Sequence, residues 1–507
     1  MNKILVLVSL LFLVACGEKI HEKQKELTVE SIVKLQCGSC HLYPEPALLS
    51  KEQWINVLPH MGLRLGIKSQ NIDVLNKLKL DESTRILSEG IFPTNQLIPD
   101  STWEKIQAYY LDNAPDSLEI PTQTYSKEQQ TFKSYFPKIN LAGSPFISMV
   151  KFNADQKFYL GDIKGNLLQL DETLHIENHT SFPMPLVDVN FDKEGKLLAL
   201  SIGELYPNDR LTGAIANLDT VDYNIPQLIF KDLPRPVQFS NADLDNDGME
   251  DLVICNFGNY LGNLTWYKKN TQGTYDAHLL KKSPGATRSY VEDLNKDGQL
   301  DIITLFAQGD EGVSIFYNDN GNFTEDRVLR FHPLYGCNDF ELTDFNGDGF
   351  KDIVISNGDN GDHSVILKPY HGIRIFLNDG KNQFEEKYFF PMFGASKVRS
   401  NDFDSDGDMD MVAVSFFPDP KNGLQQSIVY LENEGNLQFT PHEIDGANQG
   451  RWMVMDSGDF DSDGDTDVVI GSFTLTNEGI DRETLTQWRK SSNYILVLEN
   501  QTSKKVN

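Results

Sequence analysis

Two cysteines three positions apart, with a histidine directly behind the second, are the residues of this chain whose spacing indicates the most specific chemistry. They lie in "LQCGSCHLYPEP", residues 35–46. C-x-x-C-H is the spacing of covalent c-type haem attachment. The thiols of Cys37 and Cys40 would add to the two vinyl groups of one haem, and His41 would become the proximal iron ligand. The sequence therefore predicts a single covalent haem.

The second axial ligand must be a thioether or an imidazole from the same small domain. Met61, in "LPHMG", is the only methionine between Met1 and Met149. We predict Met61 as this ligand and keep the adjacent His60 as the alternative. Thioether ligation would raise the reduction potential relative to a haem with two histidine ligands.

Two other uses of the cysteine pair fit the sequence less well. A structural zinc site would need two further ligands, and no second C-x-x-C is present. A thioredoxin-like dithiol belongs at the start of a helix that follows a strand, in a βαβ setting that this segment lacks. Haem attachment remains the prediction.

Five acidic loops form the second chemical pattern. Each follows D-x-[DN]-x-D-G-x-x-D and leads into a β-branched apolar run, and the loops start 50 to 58 residues apart. Carboxylates 4 Å apart repel by about 1 kcal/mol per pair in water, so a hard cation is needed to reverse the sign. Ca²⁺ takes six to eight oxygen ligands, but the EF-hand glutamate at position 12 is missing here.

We predict about five structural calcium ions, one in each loop. Side chains at loop positions 1, 3, 5 and 9 would supply the oxygens, with a backbone carbonyl at position 7 and a glycine at position 6 for the bend. The predicted ligands are Asp243, Asp245, Asp247, Asp251, Asp293, Asn295, Asp297, Asp301, Asp344, Asn346, Asp348, Asp352, Asp402, Asp404, Asp406, Asp410, Asp459, Asp461, Asp463 and Asp467.

The elements that position these loops are predicted from the repeat itself. Each repeat has a strand, the acidic loop, and three further strands, which is the antiparallel blade of a β-propeller. Two weaker copies, at 156–171 and 187–201, precede the five, so we predict seven blades, with six and eight as alternatives. The fold class is therefore multidomain, with a small all-α cytochrome c-like domain followed by an all-β propeller.

The helical domain is predicted over residues 28–115, with a linker and propeller-closing segment at 116–138 and the propeller at 139–507. One helix should lead into the cysteines. A second should begin at a capping box of Ser50 and Gln53 and end before Pro59, and a third should begin at Ser101 and Glu104.

The first residues predict export. Lys3 and the apolar run 4–14 form a signal peptide over 1–15, because eleven residues are too short to cross a bilayer. "LVAC" at 13–16 resembles a bacterial lipoprotein signal, which implies a lipidated Cys16, a tether over 16–27, and anchoring in the cell envelope, with the outer membrane favoured. The alternative is an ordinary signal peptide with an unrelated cysteine.

The acidic repeats resemble FG-GAP/VCBS-repeat propellers, closely over 230–500 and weakly over 140–230. Cys37, Cys40, His41, Trp54 and Met61 resemble small monohaem cytochrome c domains, although the methionine comes earlier than in the commonest class I arrangement. The whole chain resembles exported VCBS-repeat lipoproteins with an N-terminal cytochrome domain. That resemblance brings no established activity.

Three functions follow. In the first, the haem transfers single electrons to or from an unknown redox partner, and the propeller is a docking scaffold. In the second, the propeller is a glycan- or protein-binding adhesion module with an accessory haem. In the third, the protein is a haem-coupled oxidoreductase acting on a small molecule. Six-coordinate iron leaves no open position for a substrate. This favours the first function and argues against catalysis. The net charge of −29 argues against nucleic acid as a partner.

Three smaller expectations concern the propeller. Its channel should have a mixed polar lining rather than a cationic pocket, from Gln238, Arg288, Asp339, Lys397, Arg399, Arg235 and Arg451. Two long connections, 357–372 and 472–493, could shape a binding surface with Tyr370, His371, Trp452 and Trp488 if they share a face. Cys255 and Cys337 should be buried free thiols.

Overall fold

The computed structural model describes residues 28–67, 78–153, 157–218, 226–361, 364–421, 423–476 and 479–503. The predicted signal peptide and Cys16 lie outside these ranges. Among the described residues, no helix is both long enough and apolar enough to span a bilayer.

Residues 28–114 form a helical head, in the order expected around the cysteines. Trp54 and Tyr110 stack at its centre with ring centroids 4.3 Å apart. Their polar ends reach the segment after the cysteines, because the Trp54 indole donates to Pro46 O (2.9 Å) and the Tyr110 hydroxyl to Pro44 O (2.8 Å). The helices are α1 (Val29–Cys37), α2 (Lys51–Arg64), α3 (Leu80–Ser88) and α4 (Asp100–Asn113), with a 3-10 turn at Pro46–Leu48.

The second predicted helix end is wrong, since α2 continues through Pro59 to Arg64. A proline inside a helix removes a hydrogen bond and costs about 3 kcal/mol. Val57 and Leu58 before it and Leu63 after it are all buried in the core, and their burial, at about 1.5–3 kcal/mol each, offsets that cost.

The predicted helix starts were only partly right. Ser50 does occupy the N-cap position of α2, but its side chain makes no capping hydrogen bond. Helix α4 begins at Asp100, with Pro99 as the residue before it, so Ser101 and Glu104 are inside the helix and form no capping box. Pro99 already holds the extended conformation that an N-cap needs (φ −61°, ψ 150°).

The propeller has seven four-stranded antiparallel blades, as predicted. The second strand of each acidic-loop blade is buried along its whole length, because neighbouring blades cover both of its faces. Blades 1 to 3 contain β2 (Ile147–Phe152), β3 (Phe158–Asp162), β4 (Asn166–Leu170), β5 (Ile176–Ser181); β6 (Leu186–Phe191), β7 (Leu197–Ser201), β8 (Leu211–Leu218), β9 (Gln227–Pro234); and β10 (Pro236–Ala242), β11 (Asp251–Asn256), β12 (Asn263–Lys269), β13 (Tyr275–Lys281).

Blades 4 to 7 follow the same plan. They contain β14 (Ala286–Glu292), β15 (Asp301–Phe306), β16 (Gly312–Asp319), β17 (Asn322–Arg330); β18 (Cys337–Thr343), β19 (Asp352–Asn357), β20 (Gly372–Asn378), β21 (Phe384–Pro391); β22 (Ala395–Asn401), β23 (Asp410–Ser415), β24 (Ile428–Asn433), β25 (Phe439–Glu443); and β26 (Trp452–Gly458), β27 (Asp467–Ser472), β28 (Ile495–Asn500) with β1 (Phe132–Tyr135).

The ring is closed by a strand from the segment between the two domains. β1 pairs with β28 from Phe132↔Asn500 to Tyr135↔Val497 and is the outermost strand of blade 7. The Phe132 side chain is 5% exposed and makes edge contacts with Phe403 and Tyr430, both at 5.2 Å. Hydrogen bonds therefore join residues before blade 1 to the last strand of the propeller.

Antiparallel strands place alternate connections on opposite faces of the propeller. The acidic loops join first to second strands and lie on one face, called here the acidic-loop face. Connections between second and third strands lie on the other, called the head face because the helical head rests on it. The long connections between β19 and β20 and between β27 and β28 both lie on the head face, and the second carries α5 (Arg482–Lys490).

These connections do not present the expected binding surface. His371, Trp452 and Trp488 are at most 5% exposed. The two tryptophans donate to the backbone oxygens of Ala447 and Asn448, so they hold the connections together. Tyr370 is half-buried, and its hydroxyl donates to Leu48 O of the helical head (2.8 Å).

Polar contacts fasten the head to blades 2 and 3. The Asp209 N–H donates to the Glu82 carboxylate (2.8 Å), and the Arg85 guanidinium donates to Asp209 O (2.5 Å). Lys282 of the propeller pairs with Glu89 of the head at 2.9 Å.

Apolar contacts extend the same interface. Leu261 of blade 3 packs with Leu63, Ile86 and Phe92 of the head. Further round the ring, Leu334 and Ile366 of the propeller pack against the core of the head. The interface therefore extends from blade 2 to blade 5.

Candidate haem and cation sites

The C-x-x-C-H segment begins at the end of α1, whose last residue is Cys37. Cys37 is partly buried, Cys40 is exposed, and neither is in a disulfide. Burial raises the pKa of the Cys37 thiol to about 11. A reactive dithiol needs a lowered thiol pKa, so this environment disfavours the dithiol alternative.

His41 is held in one tautomer. Its side chain is buried, and its Nδ1 lies 2.8 Å from Leu42 O. A carbonyl only accepts, so Nδ1 carries the proton and Nε2 keeps its lone pair. Metal-binding histidines generally donate their second ring nitrogen to a carbonyl or carboxylate in this way. The arrangement fits an axial iron ligand that coordinates through Nε2.

The two candidates for the sixth ligand are neighbours on α2. The Met61 side chain packs against the same apolar core as Cys37, together with Tyr43. The Tyr43 hydroxyl is buried there, and burial together with the neighbouring Tyr109 hydroxyl raises its pKa. His60 is half-buried. Met61 therefore lies in the cluster that contains an attachment cysteine, which fits the predicted ligand set.

The propeller contributes to the surroundings of His41. Burial lowers the pKa of this imidazole, and charges on Asp310, Arg330 and His332 act on it as well. These three residues lie on blade 4 or directly after it, and Arg330 pairs with Asp310 at 2.8 Å. The cysteine and histidine segment thus faces the propeller.

The five acidic loops share one backbone geometry. In each, the carboxylate at position 1 accepts the N–H groups of positions 5 and 6, and the position 5 carboxylate accepts the N–H of position 7. The position 6 glycine has a φ between 86° and 101°, as in Gly248 and Gly407. This conformation strongly favours glycine and turns the loop sharply, as predicted.

The aspartate at position 9 has a second role that the sequence did not indicate. Asp251, Asp301, Asp352, Asp410 and Asp467 are all 0% exposed. In every case one carboxylate oxygen accepts the N–H of position 2, and the other accepts a backbone N–H at or next to the end of the third strand. The side chain therefore ties the loop to the rest of its blade.

In three of the loops, three carboxylates lie close enough together to bind one ion. In each, ligand oxygens lie within 4.8 Å of one another; the groups are Asp243, Asp245, Asp247; Asp402, Asp404, Asp410; and Asp459, Asp461, Asp467. The other two loops carry Asn295 and Asn346 at position 3, which offer an amide oxygen in place of a carboxylate. Oxygen-only donor sets of this kind suit Ca²⁺.

Crowding and burial act on the carboxylates of blades 6 and 7. Burial, reinforced by neighbouring carboxylates, raises the pKa of Asp404 to about 6, that of Asp410 to about 7 and that of Asp467 to about 8. Shifts in this direction mean that the negative charges are unfavourable where they stand. A bound cation would remove that penalty.

A lysine from a neighbouring strand lies against the first acidic loop. Lys268, at the end of β12, pairs with Asp245, and its Nζ lies 3.6 Å from Asp247. The corresponding residue of blade 6, Glu432, is acidic and adds to the charge near Asp404. The loops therefore differ in charge although their backbones are alike.

The channel carries a ring of polar contacts through all seven first strands, called here the channel ring. Asp339 pairs with Arg288 on one side and with Lys397 (3.1 Å) and Arg399 (3.3 Å) on the other. Arg399 continues the ring to Asp456 at 3.1 Å. The remaining contacts are Asp456 with Phe152 N, Lys151 with Asp188, Asp188 with Phe239 N, and Gln238 with Ser289.

The channel therefore has a mixed, paired lining and not a cationic pocket. Two of the expected lining residues are placed elsewhere. Arg235 donates to Gly258 O and Leu205 O, and Arg451 donates to Phe416 O. Both brace connections on the head face. Cys255 and Cys337 are buried free thiols, as predicted.

Comparison with known proteins identifies the repeats. Residues 243–304, 293–355 and 402–470 match the FG-GAP-like repeat family, and these segments contain all five acidic loops. No curated protein matches the sequence significantly.

Two solved structures match this chain at low identity. One is the Dos1 propeller, with 10% identity and a TM-score of 0.40, covering 64% of this chain and 75% of that chain. Another is the extracellular domain of a protein described as a hybrid two-component system, BT3049 from B. thetaiotaomicron, with 11% identity and a TM-score of 0.40, covering 71% of this chain and 40% of that chain. Similarity at this level carries no argument about fold or function. The matched segments and the sheet topology together show that this chain contains FG-GAP-like repeats within a seven-bladed β-propeller.

Proposed function

We propose that this chain is an exported, lipid-anchored c-type haem protein that transfers single electrons, and that its propeller is a calcium-stabilised scaffold for a partner. The environment of His41 carries the proposal. Its Nδ1 is committed to a carbonyl, its Nε2 is left to coordinate, and two free cysteines at the attachment spacing stand directly before it.

Cys37 and Cys40 would hold the haem, His41 would bind the iron, and Met61 would be the second axial ligand. A haem in this site supplies a one-electron couple. The burial of His41 and the apolar core around Met61 would limit the access of water to a bound haem. Two protein ligands would fill both axial positions, which favours electron transfer over substrate chemistry.

The propeller's part in this function is binding. A propeller with FG-GAP-like repeats suggests a binding or scaffold role, so a glycan- or protein-binding module with an accessory haem is the second candidate function. The carboxylate groups of the acidic loops support calcium as the ion that stiffens this scaffold. Export and lipidation rest on residues 1–16 and are proposed from the sequence.

The deciding experiment is to mature the full chain in a host that attaches c-type haem. The pyridine haemochrome spectrum and the intact mass should report one covalent haem, and a Cys37→Ser, Cys40→Ser variant should carry none. Redox titration should give one reversible couple, and reduced protein should not bind CO. A mature protein whose mass is only that of its polypeptide and lipid would exclude the haem and leave the binding module.

The axial ligand is tested with a matched pair of variants. Met61→Ala should open the sixth position, allow CO to bind and lower the potential, whereas His60→Ala should keep the parent spectrum. The reverse pattern would assign the sixth position to His60.

A further inference from the structure

Arg64, the last residue of α2, contacts two aromatic rings at the interface of head and propeller. Its guanidinium carbon lies 5.3 Å from the centroid of Phe92 in the head and 5.3 Å from that of Tyr260 in blade 3. The two rings meet each other edge-on, with centroids 5.3 Å apart. Contacts over both ring faces fix the position of the guanidinium and leave its N–H groups to bind something else.

Among the residues that the structure describes, no carboxylate contacts this guanidinium. Within the described part of the chain, Arg64 forms neither an ion pair nor a hydrogen bond, whereas Arg210, Arg288, Arg327, Arg374 and Arg399 each pair with an acidic residue. Asp209 is the acidic residue whose charge acts on Arg64, but its carboxylate already has other hydrogen-bond partners. Its carboxylate accepts the N–H groups of Asn259, Tyr260 and Leu261.

Arg64 follows Met61 by three residues, so the two lie on the same face of α2. The Arg64 side chain is accessible to solvent. Even so, desolvation by the surrounding protein lowers its pKa, against the opposing effects of Tyr260, Cys40 and Asp209. An arginine on the open surface would not be desolvated. Arg64 therefore lies near the second attachment cysteine, where the head meets blade 3.

A guanidinium with no acidic partner in the described residues suits an anionic ligand. We propose that Arg64 binds a propionate of the haem attached through Cys37 and Cys40. The inference rests on the proposed haem attachment and adds the residue that receives the carboxylate edge of the group. A guanidinium matches a carboxylate with two parallel hydrogen bonds, and an arginine already fixed by two rings loses little freedom on binding one.

This assignment makes the haem site shared between the two domains. Tyr260 belongs to the propeller, so the propeller positions the cation that holds the haem. The redox properties of the haem should consequently respond to changes on blade 3, even though both attachment cysteines and the iron-binding histidine belong to the head.

The test compares Arg64→Gln with Arg85→Gln in the full, matured chain. Arg85 is a matched control, because it also lies on the head at this interface but donates to Asp209 O. Removing a positive charge beside the haem stabilises the oxidised iron, so Arg64→Gln should lower the midpoint potential and make it depend on pH near neutrality. Arg85→Gln should change neither property, and Arg64→Lys should keep most of the parent potential.

Tyr260→Leu extends the test without altering the charge. It should shift the potential in the same direction as Arg64→Gln, by less. If Arg64→Gln carries haem with the same potential and pH dependence as Arg85→Gln, the assignment is wrong. If Arg64→Gln is folded by circular dichroism but lacks haem while Arg64→Lys retains it, the assignment stands. A parent protein without haem overturns the proposed function itself, which the haemochrome spectrum detects before any variant is compared.

Discussion

Asp339 offers the sharpest test of how the propeller is held together, because one carboxylate of the channel ring serves three cations. Its side chain is 1% exposed and lies against Arg288, Lys397 and Arg399. Burial alone would raise its pKa, but the three positive charges outweigh burial and hold the pKa well below the usual range. Asp339→Asn keeps the shape of the side chain and removes only the charge.

The expected cost follows from what the substitution leaves behind. Removing one partner of a buried ion pair typically costs about 3–5 kcal/mol. Arg399 keeps Asp456, but Arg288 and Lys397 each lose the carboxylate with which they pair. We expect the free energy of unfolding to fall by about 3 kcal/mol, roughly a hundredfold in the unfolding equilibrium. Urea denaturation of the full chain, followed by far-UV circular dichroism, measures this loss.

The control is Asp326→Asn, on an exposed part of β17, which should leave the urea midpoint unchanged. Adding Lys397→Met to Asp339→Asn should recover part of the loss, because burial already disfavours the charge on Lys397 and lowers its pKa to about 8. Asp339 has a lowered pKa when folded, so its contribution is full above the unfolded value of about 4 and declines as pH falls below it. An Asp339→Asn midpoint equal to that of Asp326→Asn would refute the reasoning.

Three further predictions follow from the fold and the cation sites. Phe132→Ala removes the buried ring that joins β1 to Phe403 and Tyr430, and should cost about 3–5 kcal/mol in urea denaturation, whereas the exposed Lys133→Ala should cost little. Chelation of calcium should lower the thermal midpoint of the parent protein. Asp461→Asn should have a lower midpoint than the parent before any chelator is added, and the chelator should then lower it by less. Equal midpoints of the parent with calcium and with chelator would exclude structural ions. Tyr370→Phe removes one hydrogen bond to Leu48 O, worth about 1 kcal/mol, and should speed proteolytic release of the head, while Tyr206→Phe, on an exposed tyrosine of blade 2, should not.

The blade count could be predicted from the sequence because its signal is periodic. Five acidic loops and two weaker strand pairs recur at nearly constant spacing, and each buried second strand is an apolar run directly after an aspartate. The path of α2 through Pro59 could not be predicted, since local propensity disfavours it and only the apolar core on both sides of the proline compensates. Tertiary packing overrode propensity there.

In the candidate sites, too, some features could be predicted from the sequence and others could not. The C-x-x-C-H spacing and the acidic loops are local in sequence, so their residues could be selected before any fold was known. The tie from each position 9 aspartate to a later strand joins residues 17 to 33 positions apart, as in Asp301 with Asn318 and Asp467 with Asn500. The one sequence signal for this tie is an asparagine that recurs at or next to the end of four of these strands, at Asn318, Asn378, Asn433 and Asn500.

The interface between head and propeller was the least predictable feature, and it bears most on function. A flexible linker between two independent domains would let the head swing, and the propeller could then act only as a separate binding module. The contacts of Glu82 with Asp209, of Tyr370 with Leu48 and of Arg64 with Tyr260 instead seat the helical head on blades 2, 3 and 5. A partner that docks on the propeller beside the head therefore comes close to the proposed haem, and this proximity is what an electron-transfer scaffold requires. The position of the head thus favours coupled roles for the two domains over separate ones.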